Sequence, residues 1–390
     1  MKIKISILGS TGSIGSTALK IIDKRKNLFS VNLLSADKNY KSINKQIQKY
    51  KPKIFVIRDF KTYLKIKKKF KTSKTKIFNN FFKNTFTKSD ITISSIPGLV
   101  GLEPTILMIE KSKKVLIANK ESIICGWNLI KKNAIKYKTK IIPIDSEHFS
   151  ILKLLENHKI KEIKKIYLTA SGGPFLNLSH RQLKYVSPKS ATKHPKWKMG
   201  KKISIDSSTL MNKILEFIEA QKLFNIPPSK LDILIHPNSL VHAIIELKNG
   251  LIKFIYHETT MMIPIVNAIF EKDLDIKIFY KKKERFKISP IQSLNFYRVD
   301  PKIFPIYKLK NRSTEYISTP IIINAANELL VDLFLKKKIN FLDISKTIIK
   351  IMNDKNYKKY AITNARNLSK IETIDRWSKK AVIKKLKSYV

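Results

Sequence analysis

Two acidic residues, at positions 145 and 147, have the type and spacing needed to bind a cation. Asp145 and Glu147 follow an apolar run that ends at Ile144. If that run is a strand, residues two apart point to the same side, and both carboxylates would converge at the carboxyl edge of a sheet. Two close carboxylates need a cation or a shared proton. The alternative is a solvated turn.

A third carboxylate lies in a segment with helical periodicity. Glu216 and Asn212 are four residues apart and would share one helix face, whereas Glu219, one turn further, could equally be a surface charge. Three oxygen ligands with open coordination positions suit Mg²⁺ or Mn²⁺. The chain has one cysteine, Cys125, which excludes a multi-cysteine metal cluster and fits a small buried side chain in a reducing compartment.

Hydroxyl-rich segments supply groups that could bind a phosphate monoester. Ser171 begins a Ser-Gly-Gly-Pro segment, and Ser207 lies in an Asp-Ser-Ser-Thr segment that leads to Asn212 and Lys213. Hydroxyl, amide and ammonium groups together match the oxygens of a phosphate. Taken separately, each segment could be an ordinary turn or helix cap.

Imidazole and indole side chains lie near these segments. His194 and Trp197 belong to a polar loop that ends at Gly200, and such a loop could be a mobile lid whose aromatic ring covers a ligand. His242 follows an apolar run, where it could orient a reacting group or serve as a buried structural histidine.

Three of the ten glycines, Gly9, Gly12 and Gly15, lie between the first apolar run and a helical pattern. A strand, a glycine-rich turn and a helix in this order can receive a pyrophosphate on backbone N–H groups, although the spacing differs from G-x-G-x-x-G. Asp37 and Lys38 follow the second apolar run. An acid there suits an unphosphorylated ribose and a cation suits the 2′-phosphate of NADP, so these residues leave the choice open.

The hydrophobic pattern indicates which elements must position these groups. Short apolar runs alternate with longer helix-period segments, which predicts parallel strands and crossover helices in a doubly wound sheet. The first run has the length of a strand and is too short for the apolar core of a signal peptide. The predicted strands of this part cover residues 3–8, 31–35, 54–57, 91–94, 115–118 and 141–144.

The rest of the chain predicts a second α/β unit and a helical end. Strands are predicted at 166–169 and 233–235, a helix at 210–223, and apolar helix faces at 320–335 and 344–352. The predicted fold class is α/β, with an N-terminal Rossmann-like doubly wound parallel sheet, a second α/β catalytic domain and a C-terminal helical bundle. The predicted boundaries are 1–145 for the dinucleotide domain, 146–270 for the catalytic domain, 271–300 for a linker and 301–390 for the helical domain.

The charge of the chain first suggests a nucleic-acid or membrane-surface protein. Lys and Arg number 78 against 29 Asp and Glu, which gives a formal charge of +49. Only eight of the 78 basic residues are Arg, the residue that reads phosphates and base edges through bidentate geometry. The lysine excess therefore favours solvated helix faces over a specific nucleic-acid site. No apolar run reaches the roughly 18 residues of a membrane span, so we expect a cytoplasmic protein.

Together these segments resemble one enzyme family, the 1-deoxy-D-xylulose 5-phosphate reductoisomerases of the non-mevalonate isoprenoid pathway. The similar segments occur in the family's order and cover most of the chain, and several together are far more specific than any one. They are GSTGSIG at 9–15, ANKES at 118–122, PIDSEH at 143–148, SGGPF at 171–175, HPKWKMG at 194–200, DSSTLMNKILE at 206–216, HPNSLVH at 236–242 and NAANE at 324–328.

The resemblance implies roles for individual residues. The divalent metal, Mg²⁺ or Mn²⁺, would be held by Asp145, Glu147 and Glu216. The substrate phosphate would be bound by Ser171, Ser207, Asn212 and Lys213, other parts of the substrate would contact Lys120, Ser146 and His194, and Trp197 would belong to the lid. NADPH would be bound by Thr11, Gly12, Ser13, Ile14, Lys38, Asn39, Asn119, Glu121 and Gly200, with Asp37 beside Lys38.

The implied reaction is a metal-assisted retro-aldol and aldol rearrangement of a phosphorylated ketose, followed by reduction with NADPH to 2-C-methyl-D-erythritol 4-phosphate. The NADPH preference of the family favours Lys38 over Asp37 in the choice left open above. A homodimer without a specific nucleic-acid or membrane partner is expected. The chain departs from the family at Asp37, where glycine is usual, at 260–264 and near 270–271, and we expect these changes to affect local packing or the dimer contact more than the chemistry.

Two alternatives accompany this hypothesis. An NADP-dependent oxidoreductase acting on another sugar phosphate would lack the rearrangement. A nucleic-acid-binding protein would use its lysine-rich surface, and its affinity would fall steeply with salt.

Overall fold

The computed structural model describes residues 1–81, 86–197, 199–271, 274–279 and 294–387. Within these ranges the chain has the predicted α/β character. No helix among the described residues is both long enough and apolar enough to cross a membrane. About half of the predicted linker, 271–300, lies outside the described residues.

The strands overlap every predicted apolar run, although β6 and β7 each end one residue before the predicted end. In chain order they are β1 (Ile3–Leu8), β2 (Phe29–Ala36), β3 (Ile54–Ile57), β4 (Lys76–Phe78), β5 (Ser89–Ser94), β6 (Ser112–Ile117), β7 (Lys140–Pro143), β8 (Ile163–Ala170), β9 (Leu231–Ile235), β10 (Val241–Leu247), β11 (Ile252–Tyr256) and β12 (Tyr297–Arg298). Sequence prediction missed β4, β10, β11 and β12. Three of these, β4, β11 and β12, are edge strands, whose exposed side chains weaken the apolar pattern.

The helices connect and flank these strands. In chain order they are α1 (Ser13–Lys24), α2 (Tyr40–Tyr50), α3 (Phe60–Lys69), α4 (Leu102–Glu110), α5 (Lys120–Lys136), α6 (Ser146–Leu155), α7 (His180–Leu183), α8 (Pro188–Ala191), α9 (Lys201–Ser208), α10 (Met211–Phe224), α11 (Met262–Phe270), α12 (Thr319–Leu335), α13 (Phe341–Ile351), α14 (Tyr357–Ala361) and α15 (Leu368–Lys387).

The chain divides into two compact units, of which the first contains Met1–Ser122, Asn128–Asp145 and Met261–Ile288. Its seven-stranded sheet has the order β4-β3-β2-β1-β5-β6-β7, and every neighbouring pair is parallel. The strand order reverses at β1, which creates a crevice at the carboxyl ends of the strands beside it. All four residues of β3 are buried and apolar, and the last four residues of β1 are buried, as expected for a sheet covered on both faces.

The backbone of the turn after β1 requires glycine at two of its three glycine positions. Gly9 has a φ of +83°, a conformation that side chains of L-residues rarely adopt. A Cβ at Gly15 would overlap the carbonyl oxygen of Gly9 and the backbone of Ser10. The turn therefore lets the first turn of α1 pack directly against the end of β1.

The second unit contains Ile123–Trp127, Ser146–Thr260 and Ser289–Val390. Its mixed sheet has the order β11-β10-β8-β9-β12, in which β8 and β9 are the parallel pair. In the same unit, α12 packs against α13 and α15. The division of the chain into three domains and a linker stays a prediction.

Candidate active site

Three carboxylates collect at the start of α6. Asp145 immediately precedes this helix, Glu147 lies in its first turn, and Glu216 lies in the buried middle of α10. One oxygen from each carboxylate lies within 4.8 Å of the others, and Glu216 is only 1% exposed. Carboxylates this close repel one another unless a cation lies among them. The arrangement can therefore bind a divalent cation through oxygen ligands.

The local geometry differs from the predicted one. β7 ends at Pro143, and Glu147 belongs to the helix that follows, so the two acids do not alternate along one strand. The strand-to-helix turn brings them together instead. Ser146, the first residue of α6, is buried and donates a hydrogen bond of 2.5 Å to Glu147. An acid in the first turn is also favoured by the helix dipole.

Lys213 balances part of this negative charge. Its ammonium forms an ion pair with Glu147 and lies 2.5 Å from an oxygen of Glu216. Asn212 donates a side-chain hydrogen bond to Glu216. Lys213 is 6% exposed, so the ammonium is largely removed from water. A cation thus already occupies the space beside two of the three carboxylates.

Buried polar groups behind the carboxylates connect α6 to α10. The Nε2 atom of His148 lies 3.0 Å from the backbone oxygen of Glu216, and its Nδ1 atom lies 3.4 Å from the carboxylate of Glu219. The imidazole ring stacks on Phe224. His148 and Glu219 are both buried, so Glu219 is not the surface charge considered from the sequence.

The hydroxyl of Ser171 is held by two donors. The Nδ1 atom of His194 accepts hydrogen bonds from the backbone N–H groups of Lys196 and Trp197, at 3.2 and 2.9 Å. The proton of the neutral ring therefore lies on Nε2, which donates to Ser171 Oγ at 2.8 Å. The backbone N–H of Gly173 also donates to this oxygen, at 3.1 Å. The Ser171 hydrogen is thereby directed toward another acceptor, such as an anion.

His194 is held in its neutral form. Burial of the ring and, to a smaller extent, the charge of Lys213 lower the pKa of His194 to about 4. At neutral pH the imidazole therefore acts as a hydrogen-bond donor to Ser171 without carrying a charge.

The other predicted phosphate ligands lie around the junction of α9 and α10. Ser207 is half-buried near the end of α9, and Asn212 and Lys213 lie in the first turn of α10. Leu210 joins the helices with a φ of +67°, which costs about 1–2 kcal/mol for a residue with a side chain. The sharp break places the end of one helix beside the beginning of the next.

A buried hydrogen bond connects the end of α9 to α12. The buried carboxylate of Asp206 accepts a hydrogen bond of 2.7 Å from the side-chain amide of Asn327 and forms an ion pair of 3.0 Å with Lys202. Asn327 belongs to the NAANE segment, which the sequence singled out without a role. A Cβ added to Gly173 would meet Ser207 and Ser208 backbone atoms at about 3.0 Å, so this glycine permits close packing against the same helix end.

Trp197 lies in the predicted lid, half-buried, with its ring edge-on to His242 at a centroid distance of 6.0 Å. His242 is buried and stacks on His257 at 3.9 Å, so it is part of an aromatic cluster. Lys198 of the same loop lies outside the described residues, and Gly200 is exposed at the start of α9. The mobility of the loop stays a prediction.

A cavity of about 420 Å³ lies at the carboxyl ends of the central parallel strands. Three predicted cofactor residues, Thr11, Gly12 and Asp37, line it. Ser13 and Ile14 form the first turn of α1 next to Gly12. The position is the one at which open α/β sheets bind nucleotides, and the size suits part of a dinucleotide.

The other predicted cofactor residues of this unit lie at the starts of α2 and α5. Lys38 and Asn39 are exposed before α2, and the Asn39 side chain caps that helix by accepting from Ser42. The buried side chain of Asn119 caps α5 by accepting from the backbone N–H of Ser122 and donates to the carbonyl oxygens of Ile96 and Gly98. Its contact with the cofactor stays a prediction. Two other buried residues follow Asn119: Lys120, whose ammonium lies 3.1 Å from Asp145, and Glu121.

Sequence reasoning missed several residues that line the cavity. Arg58 directly follows β3, and Ser95, Ile96 and Pro97 directly follow β5. The rule that ligands bind at the carboxyl ends of parallel strands could have identified them, because both strands were predicted. Arg58 adds a positive charge that the prediction did not include.

Comparison with known proteins supports one family over the length of the chain. Residues 5–126 match the 1-deoxy-D-xylulose 5-phosphate reductoisomerase family, residues 141–224 match its C-terminal domain family, and residues 258–381 match the DXP reductoisomerase C-terminal domain. The 1-deoxy-D-xylulose 5-phosphate reductoisomerase of Pelagibacter ubique is 47% identical over 378 residues, covering 95% of this chain and 96% of that protein. The enzyme of the same name from Wolbachia sp. subsp. Drosophila simulans is 40% identical over 380 residues, covering 95% of both.

Two solved structures have the same fold throughout. The 1-deoxy-D-xylulose 5-phosphate reductoisomerase of Zymomonas mobilis in complex with NADPH is similar with a TM-score of 0.86 and 31% identity, covering 98% of both chains. A DOX-P reductoisomerase in complex with NADPH, fosmidomycin and magnesium has a TM-score of 0.89 and 30% identity, covering 99% of this chain and 98% of that one. With these similarities and the carboxylate cluster, the chain belongs to the 1-deoxy-D-xylulose 5-phosphate reductoisomerase family.

Proposed function

We propose that this protein converts 1-deoxy-D-xylulose 5-phosphate to 2-C-methyl-D-erythritol 4-phosphate, using NADPH and a divalent metal ion. One observation carries the proposal: Asn212, Lys213 and Glu216 lie on consecutive turns of one helix, with Glu147 in direct contact with Lys213. A carboxylate site for a cation thus adjoins amide and ammonium groups suited to a phosphate. The similar proteins do not favour the two alternative hypotheses, another sugar-phosphate oxidoreductase or a nucleic-acid-binding protein.

The donor set fits Mg²⁺ or Mn²⁺. Asp145, Glu147 and Glu216 would hold the ion, since carboxylate oxygens are the ligands that both metals prefer. The contact of the Lys213 ammonium with Glu147 and Glu216 supports the fit, because it places a positive charge against two of the three carboxylates. When bound, the ion would polarise the carbonyl and hydroxyl oxygens of the substrate.

The chain itself would bind and orient the phosphorylated end of the substrate. Ser171 would donate its hydroxyl hydrogen to the phosphate, because its oxygen already accepts from His194 and Gly173. Ser207, Asn212 and Lys213 would supply the remaining donors. Anchoring a group remote from the reacting carbons lets its binding energy hold the substrate in a reactive orientation.

The cavity of the first unit fits the cofactor. Its position at the strand switch point, and the glycine turn after β1, leave backbone N–H groups and the start of α1 open to a pyrophosphate. When bound, NADPH would supply the hydride that reduces the rearranged aldehyde. Trp197 would exclude water from the site as part of the lid.

The activity is tested by following NADPH consumption with the substrate, with and without Mg²⁺ or Mn²⁺. Replacement of Glu216 with glutamine should lower turnover by about 100-fold while leaving NADPH affinity nearly unchanged, because one metal ligand is lost. A matched control is Glu372→Gln, which removes an exposed carboxylate from α15. Metal-independent turnover, or full activity in Glu216→Gln, would contradict the proposal.

Further parts of the proposal concern organisation. We infer a dinucleotide domain at 1–145, a catalytic domain at 146–270 and a helical domain at 301–390, as the resemblance implies. A homodimer in the cytoplasm is the corresponding expectation for assembly and location. Light scattering on the purified protein and cell fractionation would test these two expectations.

A further inference from the structure

The cofactor cavity contains an acid and a base on adjacent strand ends. Asp37 is the first residue after β2, and Arg58 is the first residue after β3; both line the cavity. The two strands are parallel neighbours in which Ala36 is opposite Ile57, and the backbone N–H of Arg58 donates to the carbonyl oxygen of Ala36 at 3.0 Å. The register therefore places Asp37 and Arg58 side by side at the carboxyl edge of the sheet.

Asp37 by itself would favour NADH over NADPH. An acid at the end of the second strand of a dinucleotide-binding unit accepts hydrogen bonds from the free ribose hydroxyls, and it repels a 2′-phosphate. Solved relatives nevertheless bind NADPH, which carries that phosphate. A positive group must therefore offset Asp37 in this chain if it uses the same cofactor.

Two cations could offset Asp37: Lys38, the next residue in the chain, and Arg58, which the strand register places beside it. Both side chains are exposed, but Lys38 does not line the cavity. The Lys38 charge is one of the smaller contributions, after the hydrogen bonds from Thr62, that lower the pKa of Asp59. Arg58 lines the cavity itself. In the part of the chain that the structure describes, the Arg58 guanidinium has no ion pair or hydrogen bond that would occupy it. A guanidinium also matches phosphate oxygens bidentately, which an ammonium does not.

We propose that Arg58 binds the 2′-phosphate of NADPH and, by offsetting Asp37, makes this protein select NADPH over NADH. The inference rests on the proposed use of NADPH but assigns a residue that the sequence resemblance did not include. Arg58 is the specificity residue, and Asp37 opposes it.

The test measures binding alone, by calorimetric titration with pairs of ligands that differ in the phosphate. In the unmodified protein, 2′,5′-ADP should bind more tightly than 5′-AMP, and NADPH more tightly than NADH. In Arg58→Gln, affinity for 2′,5′-ADP and NADPH should fall about 10- to 100-fold, as expected for loss of a bidentate charged contact. Affinity for 5′-AMP and NADH should change less than about threefold, since they lack the phosphate.

Matched variants separate this role from a general loss of positive charge. Lys61→Gln removes an exposed cation from the first turn of α3 and should leave all four affinities unchanged. Asp37→Gly should strengthen NADPH binding and weaken NADH binding. Arg58 is exposed, so circular dichroism and the melting temperature of Arg58→Gln should match those of the unmodified protein.

Four results would overturn the inference. Unchanged NADPH affinity in Arg58→Gln would overturn it while leaving the proposed function intact, and so would loss of phosphate selectivity in Lys38→Gln instead. Equal weakening of NADPH and NADH by Arg58→Gln would show a contact to a part that both cofactors share. Failure of the unmodified protein to bind either cofactor would overturn the proposed function as well.

Discussion

Replacing Lys213 with methionine should tighten the binding of Mn²⁺ in the absence of substrate. The Lys213 ammonium contacts Glu147 and lies 2.5 Å from Glu216, so an incoming ion competes with it for two of its three ligands. Methionine has a similar length without the charge, and it leaves the carboxylates available to the ion.

The magnitude follows from the contacts that the ion must break. A hydrogen bond between charged groups contributes about 1.5–3 kcal/mol net. Two such bonds are lost when the ammonium leaves, and its renewed hydration offsets part of that loss. In the unmodified protein, displacement of the ammonium therefore costs the free energy of about one such bond, about 1.5–3 kcal/mol. Since the variant does not bear this cost, it should bind Mn²⁺ roughly 10- to 150-fold more tightly.

Electron paramagnetic resonance of free Mn²⁺ during a titration measures this affinity directly. The melting temperature provides a second readout, because the variant without metal leaves Glu216 buried near other carboxylates and should be destabilised. Mn²⁺ should restore much of that stability. Lys222→Met is the matched control, since it removes another lysine from α10 nine residues away, about 13–14 Å along the helix.

One result would refute this reasoning. If folded Lys213→Met binds Mn²⁺ no more tightly than the unmodified protein does, the ammonium does not compete with the ion. The variant should separately show a raised KM for the phosphorylated substrate, because Lys213 is also proposed to bind the phosphate.

Two further predictions concern groups that support the phosphate site. The His194 ring should remain neutral until the pH approaches about 4, whereas an unfolded histidine protonates near 6.5. Because the pKa of the folded state is the lower one, the stability that His194 contributes is complete above pH 6.5. This stability is lost as the pH falls toward 4. Nuclear magnetic resonance titration of the ring checks this, and a midpoint near 6.5 would contradict it. Asn327→Leu should lower the free energy of unfolding by about 1–3 kcal/mol, because Asp206 loses a buried hydrogen bond. Urea denaturation measures the loss, with Asn249→Leu in an exposed turn as control; equal stability of the two variants would show that the Asp206 contact contributes nothing.

The first sheet could be predicted because its strands are buried on both faces. Their apolar runs, such as residues 54–57, stand out against the polar helix surfaces between them. Edge strand β11 was missed because Ile252, Lys253 and Phe254 are all exposed, and its sequence lacks a buried face. The lysine excess carried no information about the fold.

For the candidate site, the sequence analysis identified residue types but misjudged parts of the local geometry. Glu147 and Glu216 could be chosen as metal ligands from residue type and resemblance, but the strand argument that grouped Asp145 with Glu147 was wrong. Glu219 looked like a surface charge because helix periodicity does not reveal what packs against each face. Its contact with His148 brings together residues 71 positions apart in the chain.

The sequence by itself determined the fold class, the family and the kinds of chemical groups present, because these depend on local patterns and on motifs along the chain. Only the tertiary structure decided which groups meet. It placed the Lys213 ammonium against Glu147 and Glu216, and Arg58 in the cofactor cavity with Asp37. Such contacts depend on strand order and helix packing, which bring distant residues to within a few ångströms and which no local pattern encodes.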